Sequence, residues 1–261
     1  MIIGVNGKIG SGKDTIGKII QYLVVKKRYT ELITDDFKEF HKEYKNSDKP
    51  LIYSDNGGAA YSDFEIKKFA GKLKQTASLL TGIPVEKFED QEFKKLPMGL
   101  EWEMTYREFL QKLGTEAMRD GLHENTWVNA LFADYNATGY NYTGCENKVI
   151  QGEWEYPNWI ITDMRFPNEM QAIEEREGIT IRIVRYPKTV EVSRGPQDIE
   201  TIPFDPTNHK HMSLWKGDIS RLHASETALD DAKFDYEILN DGTIEDLVEK
   251  VKEILIKEEI I

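Results

Sequence analysis

Gly7, Gly10 and Gly12 lead to Lys13 in the stretch Gly-Lys-Ile-Gly-Ser-Gly-Lys-Asp-Thr at 7–15, directly after the apolar run Ile2-Ile3-Gly4-Val5. Glycines let consecutive backbone N–H groups converge on a phosphate with no side chain in the way, and a lysine at this spacing reaches the terminal phosphates as a point charge. A strand feeding a glycine loop and then a helix is the order such a cradle requires. Ile16, Ile19, Ile20, Leu23 and Val24 recur at helical spacing, so a helix follows whose positive N-terminal end points at the phosphates. A glycine turn without a ligand is the competing reading. The spacing, the lysine and both flanking elements favour nucleoside triphosphate binding through Gly10, Ser11, Gly12, Lys13, Asp14 and Thr15.

A second group of chemistry-bearing residues closes the strand Trp159-Ile160-Ile161-Thr162-Asp163 and runs on through Arg165 to Glu169. A carboxylate at the carboxyl end of a strand beside the first one holds magnesium or a substrate group near the phosphates; strand-end acids are also ordinary helix caps. Pro167 suits the first turn of a new helix, which ends by Gly178. A third group lies on a helix whose expected apolar face is Tyr106, Leu110, Leu113 and Ala117. Arg107 and Gly114 share a face of it. A glycine inside a helix costs roughly 1 kcal/mol against alanine, so either a ligand or a neighbouring helix approaches the backbone at Gly114 and Thr115. The helix after it places Trp127, Ala130, Leu131 and Asp134 along one side.

The remaining elements position these groups. Phe69, Leu73, Ala77 and Leu80 predict a helix over 69–80, beside whose apolar face Lys72 and Lys74 either contact phosphate or face solvent. Ile179, Ile181 and Ile183 alternate with Thr180, Arg182 and Val184 in a strand that completes a βαβ unit. Tyr236–Leu239 is a last short strand. Thr243 then caps a helix with Asp246 three residues on, and Ile244, Leu247, Val248, Val251, Ile254 and Leu255 face the core. Residues 28–63 read as a polar, turn-rich and mostly solvated surface with Asn56-Gly57-Gly58 as its clearest turn, and 136–157 as an inserted hairpin or loop. Residues 186–222, rich in Pro, Gly, Asp and His, read as a structureless stretch: either a lid with Arg194, Lys210, Arg221 and His223 as charge donors, or a surface loop. The expected class is α/β with a parallel core sheet, one domain over 1–261 with these insertions.

Composition narrows the partners. The chain has 261 residues and a net charge of −12, which disfavours a broad surface for DNA or RNA and suits a small anion in a local basic pocket. Cys145 is the single cysteine, so neither an intramolecular disulfide nor a cysteine-rich zinc site is expected. No apolar stretch approaches the ~20 residues that span a bilayer, and no signal-peptide pattern opens the chain. The expectation is a soluble cytoplasmic protein.

The loop Gly-Ser-Gly-Lys-Asp-Thr at 10–15, Arg-Glu-Phe-Leu-Gln-Lys-Leu-Gly-Thr at 107–115, Trp127, Asp-x-Arg-x-x-x-Glu at 163–169, His-Ala-Ser-Glu-Thr-Ala-Leu at 223–229 and Asn240-Asp241-Gly242-Thr243 together resemble the deoxynucleoside monophosphate kinases of tailed bacteriophages. The resemblance implies a P-loop kinase fold with inserted monophosphate-binding and lid segments. It implies transfer of the γ-phosphoryl group of ATP, with Mg²⁺, to a deoxynucleoside monophosphate in the host cytoplasm, and leaves homodimerisation open. By the same resemblance Arg107, Gly114, Thr115, Trp127, Asp163, Arg165 and Glu169 surround the acceptor, with Trp127 stacking on or walling its base. Lys13, Arg165 and Asp163 are the expected catalytic residues. The loop departs from the commonest pattern: Asp14 follows the lysine where Ser or Thr binds magnesium. Thr15 then meets the α-phosphate, while Asp14 either accepts from a magnesium-bound water, with Asp163 as second metal residue, or caps the helix. Two other readings are a kinase of another phosphorylated acceptor, since animal phosphomevalonate kinases share a Gly-Lys-Asp loop, and a non-enzymatic ATP sensor.

Overall fold

A computed structural model describes residues 1–30, 33–53, 59–143, 151–195, 198–216 and 227–261. In chain order the first half comprises β1 (Ile2–Asn6), α1 (Lys13–Arg28), α2 (Phe37–Tyr44), the strands β2 (Leu51–Tyr53) and β3 (Ala59–Tyr61), β4 (Phe64–Lys67), α3 (Phe69–Thr81), α4 (Tyr106–Gln111), a π-helical segment Lys112–Asp120 and α5 (Thr126–Phe132). The second half comprises β5 (Gly139–Thr143), β6 (Gln151–Glu155), β7 (Asn158–Ile161), α6 (Pro167–Glu174), β8 (Ile179–Val184), β9 (Thr189–Gly195), β10 (Asp198–Pro203), α7 (His209–Lys216), β11 (Tyr236–Leu239) and α8 (Ile244–Lys257).

Apolar, β-branched runs buried on both faces make parallel strands, and β1, β7 and β8 are such runs at the centre of a five-stranded sheet of order β11-β8-β1-β7-β4, every pair parallel, whose edge strands β4 and β11 are only partly buried. The two-residue period of a strand sorts their side chains to opposite faces. Ile3, Val5, Ile160, Ile181 and Ile183 pack with α1, α2 and α8. Ile2, Trp159 and Ile161 pack with Phe69, Val128, Leu131, Met170 and Ile173 on the other side. A smaller cluster of Ala77, Phe88, Phe109, Leu110 and Leu113 ties α3 to α4.

This order positions the site. The chain leaves β1 for the edge strand β4, returns to β7, crosses to β8 and ends at β11, so the winding reverses beside β1. Such a reversal opens a crevice at the carboxyl ends of the strands. Gly4 pairs with Ile161 and Ile161 with Lys67, which brings the ends of β1, β7 and β4 to one rim.

Several elements differ from the sequence expectation. Within 28–63 the polar run hides an amphipathic helix, α2, whose Phe37 and Phe40 are buried against Tyr22 at ring separations of 5.6 and 5.4 Å; Asn56-Gly57-Gly58 lies outside the described residues. The strand β4 is an unanticipated member of the sheet, with Phe64 and Ile66 buried. On α3, Ala77 faces the core as expected, but Leu80 is 56% exposed. Within 136–157, β5 pairs antiparallel with β6. The stretch 186–222 is not structureless: β9 pairs antiparallel with β10 and α7 follows. Among the described residues no helix is long and apolar enough to cross a membrane.

The largest departure is at the π-helical segment. Wider i→i+5 turns carry the apolar face from Leu113 to Met118, five residues on, instead of to Ala117. Ala117 is exposed. The same rotation turns Arg119 inward, to a side chain only 11% exposed.

Candidate functional site

The glycine loop is held in an open curve by its own backbone and by a distant side chain. Ser11 N donates to Lys8 O at 3.1 Å, and Asn240 Nδ2, from the end of β11, donates to Ser11 O at 2.8 Å. Gly12 caps α1 at φ 105°, and no side chain caps the helix. An L-residue is strained there, and its Cβ would sit 2.9 Å from Asn240 Nδ2. A helix start of this kind offers backbone N–H groups to an anion. Ser11 Oγ is buried without a hydrogen-bond partner at the same turn.

A cavity of about 590 Å³ opens beside this loop. Gly10, Lys13 and Asp14 line it, and so do Arg107, Gly114, Thr115, Trp127, Asp163, Arg165 and Glu169. Every residue expected to meet the acceptor is thus in one space with the loop lysine. Ser11, Gly12 and Thr15 are not part of the lining. Lys68, Lys74, Lys94 and Arg119 also line the cavity. Among the described residues, with Lys13, Arg107 and Arg165, they set seven cations against the four carboxylates Asp14, Glu89, Asp163 and Glu169, in a chain whose net charge is −12. Burial and the charges of Lys74, Arg107 and Arg165 hold the Lys94 ammonium below the ordinary lysine value. Burial is the larger cause and the neighbouring cations add to it, so a cation-rich lining of this kind favours an anionic ligand.

The acidic residues are engaged with the scaffold. Asp163 accepts from Phe69 N at 2.8 Å and Ala70 N at 2.9 Å, one bond to each carboxylate oxygen, and so caps α3. The helix-cap reading of this strand-end acid holds in the structure; a magnesium role would be additional to it. Asp14 Oδ1 accepts from Thr162 Oγ1 at 3.0 Å and pairs with Lys68 Nζ at 3.2 Å. Burial pushes the Asp14 carboxyl up, but the Lys68 charge and the two hydrogen bonds outweigh it and hold the group below its usual range. Among the described residues no three His, Cys, Asp or Glu converge on a metal position. Magnesium bound here would be ligated mainly by phosphates and water, and Asp14 Oδ2 fits a partner for such a water.

On the far wall, Trp127 is 6% exposed and its Nε1 donates to Gly114 O at 2.8 Å. Of stacking and walling, this geometry supports the wall. A Cβ on Gly114 would meet Leu73 Cδ2 at 3.0 Å, so close helix packing explains the glycine. Arg107 Nη2 donates to Gln91 Oε1 at 3.0 Å. Lys74 lines the cavity and pairs with Glu89, whereas Lys72 pairs with Asp134 outside it.

Glu169 is buried. Its Oε2 accepts from Arg165 N at 2.7 Å and Phe166 N at 3.1 Å, and its Oε1 pairs with Arg119 Nη2 at 2.9 Å. Burial pushes this carboxyl up to about 7, against the opposing pull of the Arg165 amide and Arg119.

Sequence reasoning missed Lys68, Glu89, Lys94 and Arg119. Lys68 was within reach, since it follows the short alternation Phe64-Glu65-Ile66-Lys67 that marks a strand end. Arg119 had no signal under a regular helical period. Of the expected lid donors, Lys210 lies on α7 and is not among the residues that line the cavity, while the side chain of Arg194, and Arg221 and His223, lie outside the described residues. Comparison with protein-family models gives no match, and comparison with characterised proteins gives none either.

Proposed function

We propose that this chain is an ATP-dependent kinase of the P-loop type that phosphorylates a deoxynucleoside monophosphate. One observation carries the reading: a single cavity is lined both by Gly10, Lys13 and Asp14 of an uncapped glycine loop and by Arg107, Arg119 and Arg165. Two anionic nucleotides brought into one space repel each other, and catalysis of phosphoryl transfer is mostly positioning and charge neutralisation. A net positive lining in an acidic protein is suited to that task. The volume lies in the ~300–1,000 Å³ range of small-molecule sites.

In this reading an acceptor phosphate oxygen bonds to the γ-phosphorus as the bond from that phosphorus to the β–γ bridging oxygen breaks, giving ADP and the diphosphate. The N-terminus of α1 and Lys13 hold the triphosphate. Arg165 stabilises charge on the transferring group, and Arg107 with Thr115 receives the acceptor, walled by Trp127. Asp163 fixes the start of α3, next to Lys68 at its N-cap and Lys74 on the helix. Magnesium, met by Asp14 and Asp163 through water, would supply further charge neutralisation.

The test is ADP release with ATP and Mg²⁺ against dTMP, dGMP, dCMP, dAMP, their ribose counterparts and phosphomevalonate. Acceptor-dependent turnover with a deoxynucleotide is the expected result. Turnover with phosphomevalonate alone moves the assignment to another acceptor, and ATP binding with no turnover on any acceptor makes the chain a sensor.

A further inference from the structure

Arg119 is held on several sides in the cavity, yet it is not fully satisfied. Its Nη2 donates to Glu169 Oε1 at 2.9 Å, its Nη1 to Asn168 Oδ1 at 3.1 Å and Glu124 O at 3.4 Å, and its guanidinium lies 3.7 Å from the centre of the Phe166 ring. Its Nε is buried with no partner. A guanidinium has five N–H donors, and leaving one buried and unpaired costs stability. Replacing a buried ion pair by apolar or neutral groups of similar volume is often neutral or stabilising. Stability is therefore a poor reason for this pair.

Its partners supply a better one. Glu169 Oε2 holds the amides of Arg165 and Phe166, and Arg119 holds the other oxygen of the same carboxylate while covering the Phe166 ring. Arg119 comes from the π-helical segment, whose Gly114 carbonyl is fixed by Trp127 Nε1. The wide turns of that segment bring Arg119, rather than a surface residue, across to the strand-end turn. π-Helical turns within α-helices are frequent at functional sites.

We propose that Arg119 is a positioning residue for the phosphoryl transfer assigned above, on which this inference rests: acting through Glu169 and Phe166, it locks the 165–169 turn and so sets the place of Arg165 in the cavity. The π-helical segment is the device that delivers it. Through this link the acceptor wall, from Gly114 to Arg119, and the charge-stabilising arginine move as one unit.

Two measurements test this on the full chain. The first needs no substrate: the amide signals of Arg165 and Phe166 in ¹H–¹⁵N spectra, wild type against Arg119→Met and Arg119→Lys. Both signals should shift strongly in Arg119→Met and return partway in Arg119→Lys. Amide signals that stay in place in a folded Arg119→Met protein overturn the proposal. The second is kinetic, with the best deoxynucleotide acceptor of the wild type: Arg119→Met should lower kcat by about 10- to 100-fold, the size of loss a remote misplacement causes, with the KM for ATP unchanged. A change confined to the KM for ATP overturns it. The double variant Arg119→Met/Glu169→Gln covers the case in which Arg119→Met fails to fold, because it leaves no buried unpaired charge. It should match wild type in thermal stability while keeping the kcat loss, and wild-type kcat in that variant counts against the proposal. If wild type turns over no acceptor while the amides respond as stated, the kinase reading fails and the Arg119–Arg165 linkage stands.

Discussion

The two halves of the cavity are built differently. The loop half is contiguous in sequence, residues 7–15, and offers backbone N–H groups at the uncapped start of α1. The other half gathers side chains from five separate places: Lys68 and Lys74 around α3, Glu89 to Lys94, Arg107 to Arg119, Trp127 on α5, and Asp163 to Glu169. A phosphate held by backbone needs glycines at fixed spacing, which a sequence displays. A phosphate held by side-chain cations needs only that distant segments fold together, which spacing does not display. The loop half should therefore act alike on every acceptor, and the gathered half should decide turnover and acceptor choice.

Arg165→Ala gives the sharpest break between the halves. An arginine on a transferring phosphoryl group is worth about 10³ to 10⁵ in rate, so kcat should fall by at least about 10³ while ATP binding, read by calorimetry, stays near wild type. Lys13→Ala comes next. Removing a positioned electrostatic donor costs about 10² to 10³, and kcat/KM should fall by that amount equally for every accepted deoxynucleotide. Unequal losses across acceptors would show that the loop half also selects them.

The same contrast explains what the sequence disclosed. Three of the five sheet strands announce themselves through Ile, Val and Trp runs, β11 through the short Tyr-Glu-Ile-Leu stretch before the capped last helix, and α1 and α8 through unbroken apolar stripes. The edge strand β4 does not, because its Phe64 and Ile66 alternate for only four residues inside a charged stretch. Among the cavity-lining residues, Lys13, Arg107, Gly114, Thr115, Trp127, Asp163, Arg165 and Glu169 could be picked out because each sits in a motif or at a strand end. Arg119 was not. A regular period places Ala117 on the buried face, and only the π-helical turns exchange it for Met118 and bring Arg119 in. That exchange depends on contacts from other elements, such as the bond from Trp127 to the Gly114 carbonyl.

Gly12→Ala is a milder probe of the loop half. At φ 105° with Asn240 Nδ2 2.9 Å from the new Cβ, the substitution strains the turn by about 1–3 kcal/mol. ATP affinity should weaken by roughly tenfold, since each 1.4 kcal/mol is a factor of ten. The Arg165 and Phe166 amides should not respond, because the loop and the 165–169 turn are held by separate bonds. A response there would join the halves that the geometry keeps apart.

The smallest expected effect is a pH dependence confined to the gathered half. Burial raises the Glu169 carboxyl from 4.5 to about 7, so the folded state holds this proton more tightly than the unfolded chain. Stability from this group is fully present below about 4.5 and is lost as pH rises through about 7. Glu169→Gln removes the titration while keeping a neutral acceptor for the two amides. Its melting temperature relative to wild type should therefore rise between about pH 5 and pH 8, by a few degrees, since 1 kcal/mol shifts Tm by ~2–4 °C in chains of about this size. A difference that is flat across this window means Glu169 stays ionised throughout, with Arg119 compensating its charge completely. The Arg119–Glu169 link would then hold the Arg165 turn with the same strength at every working pH.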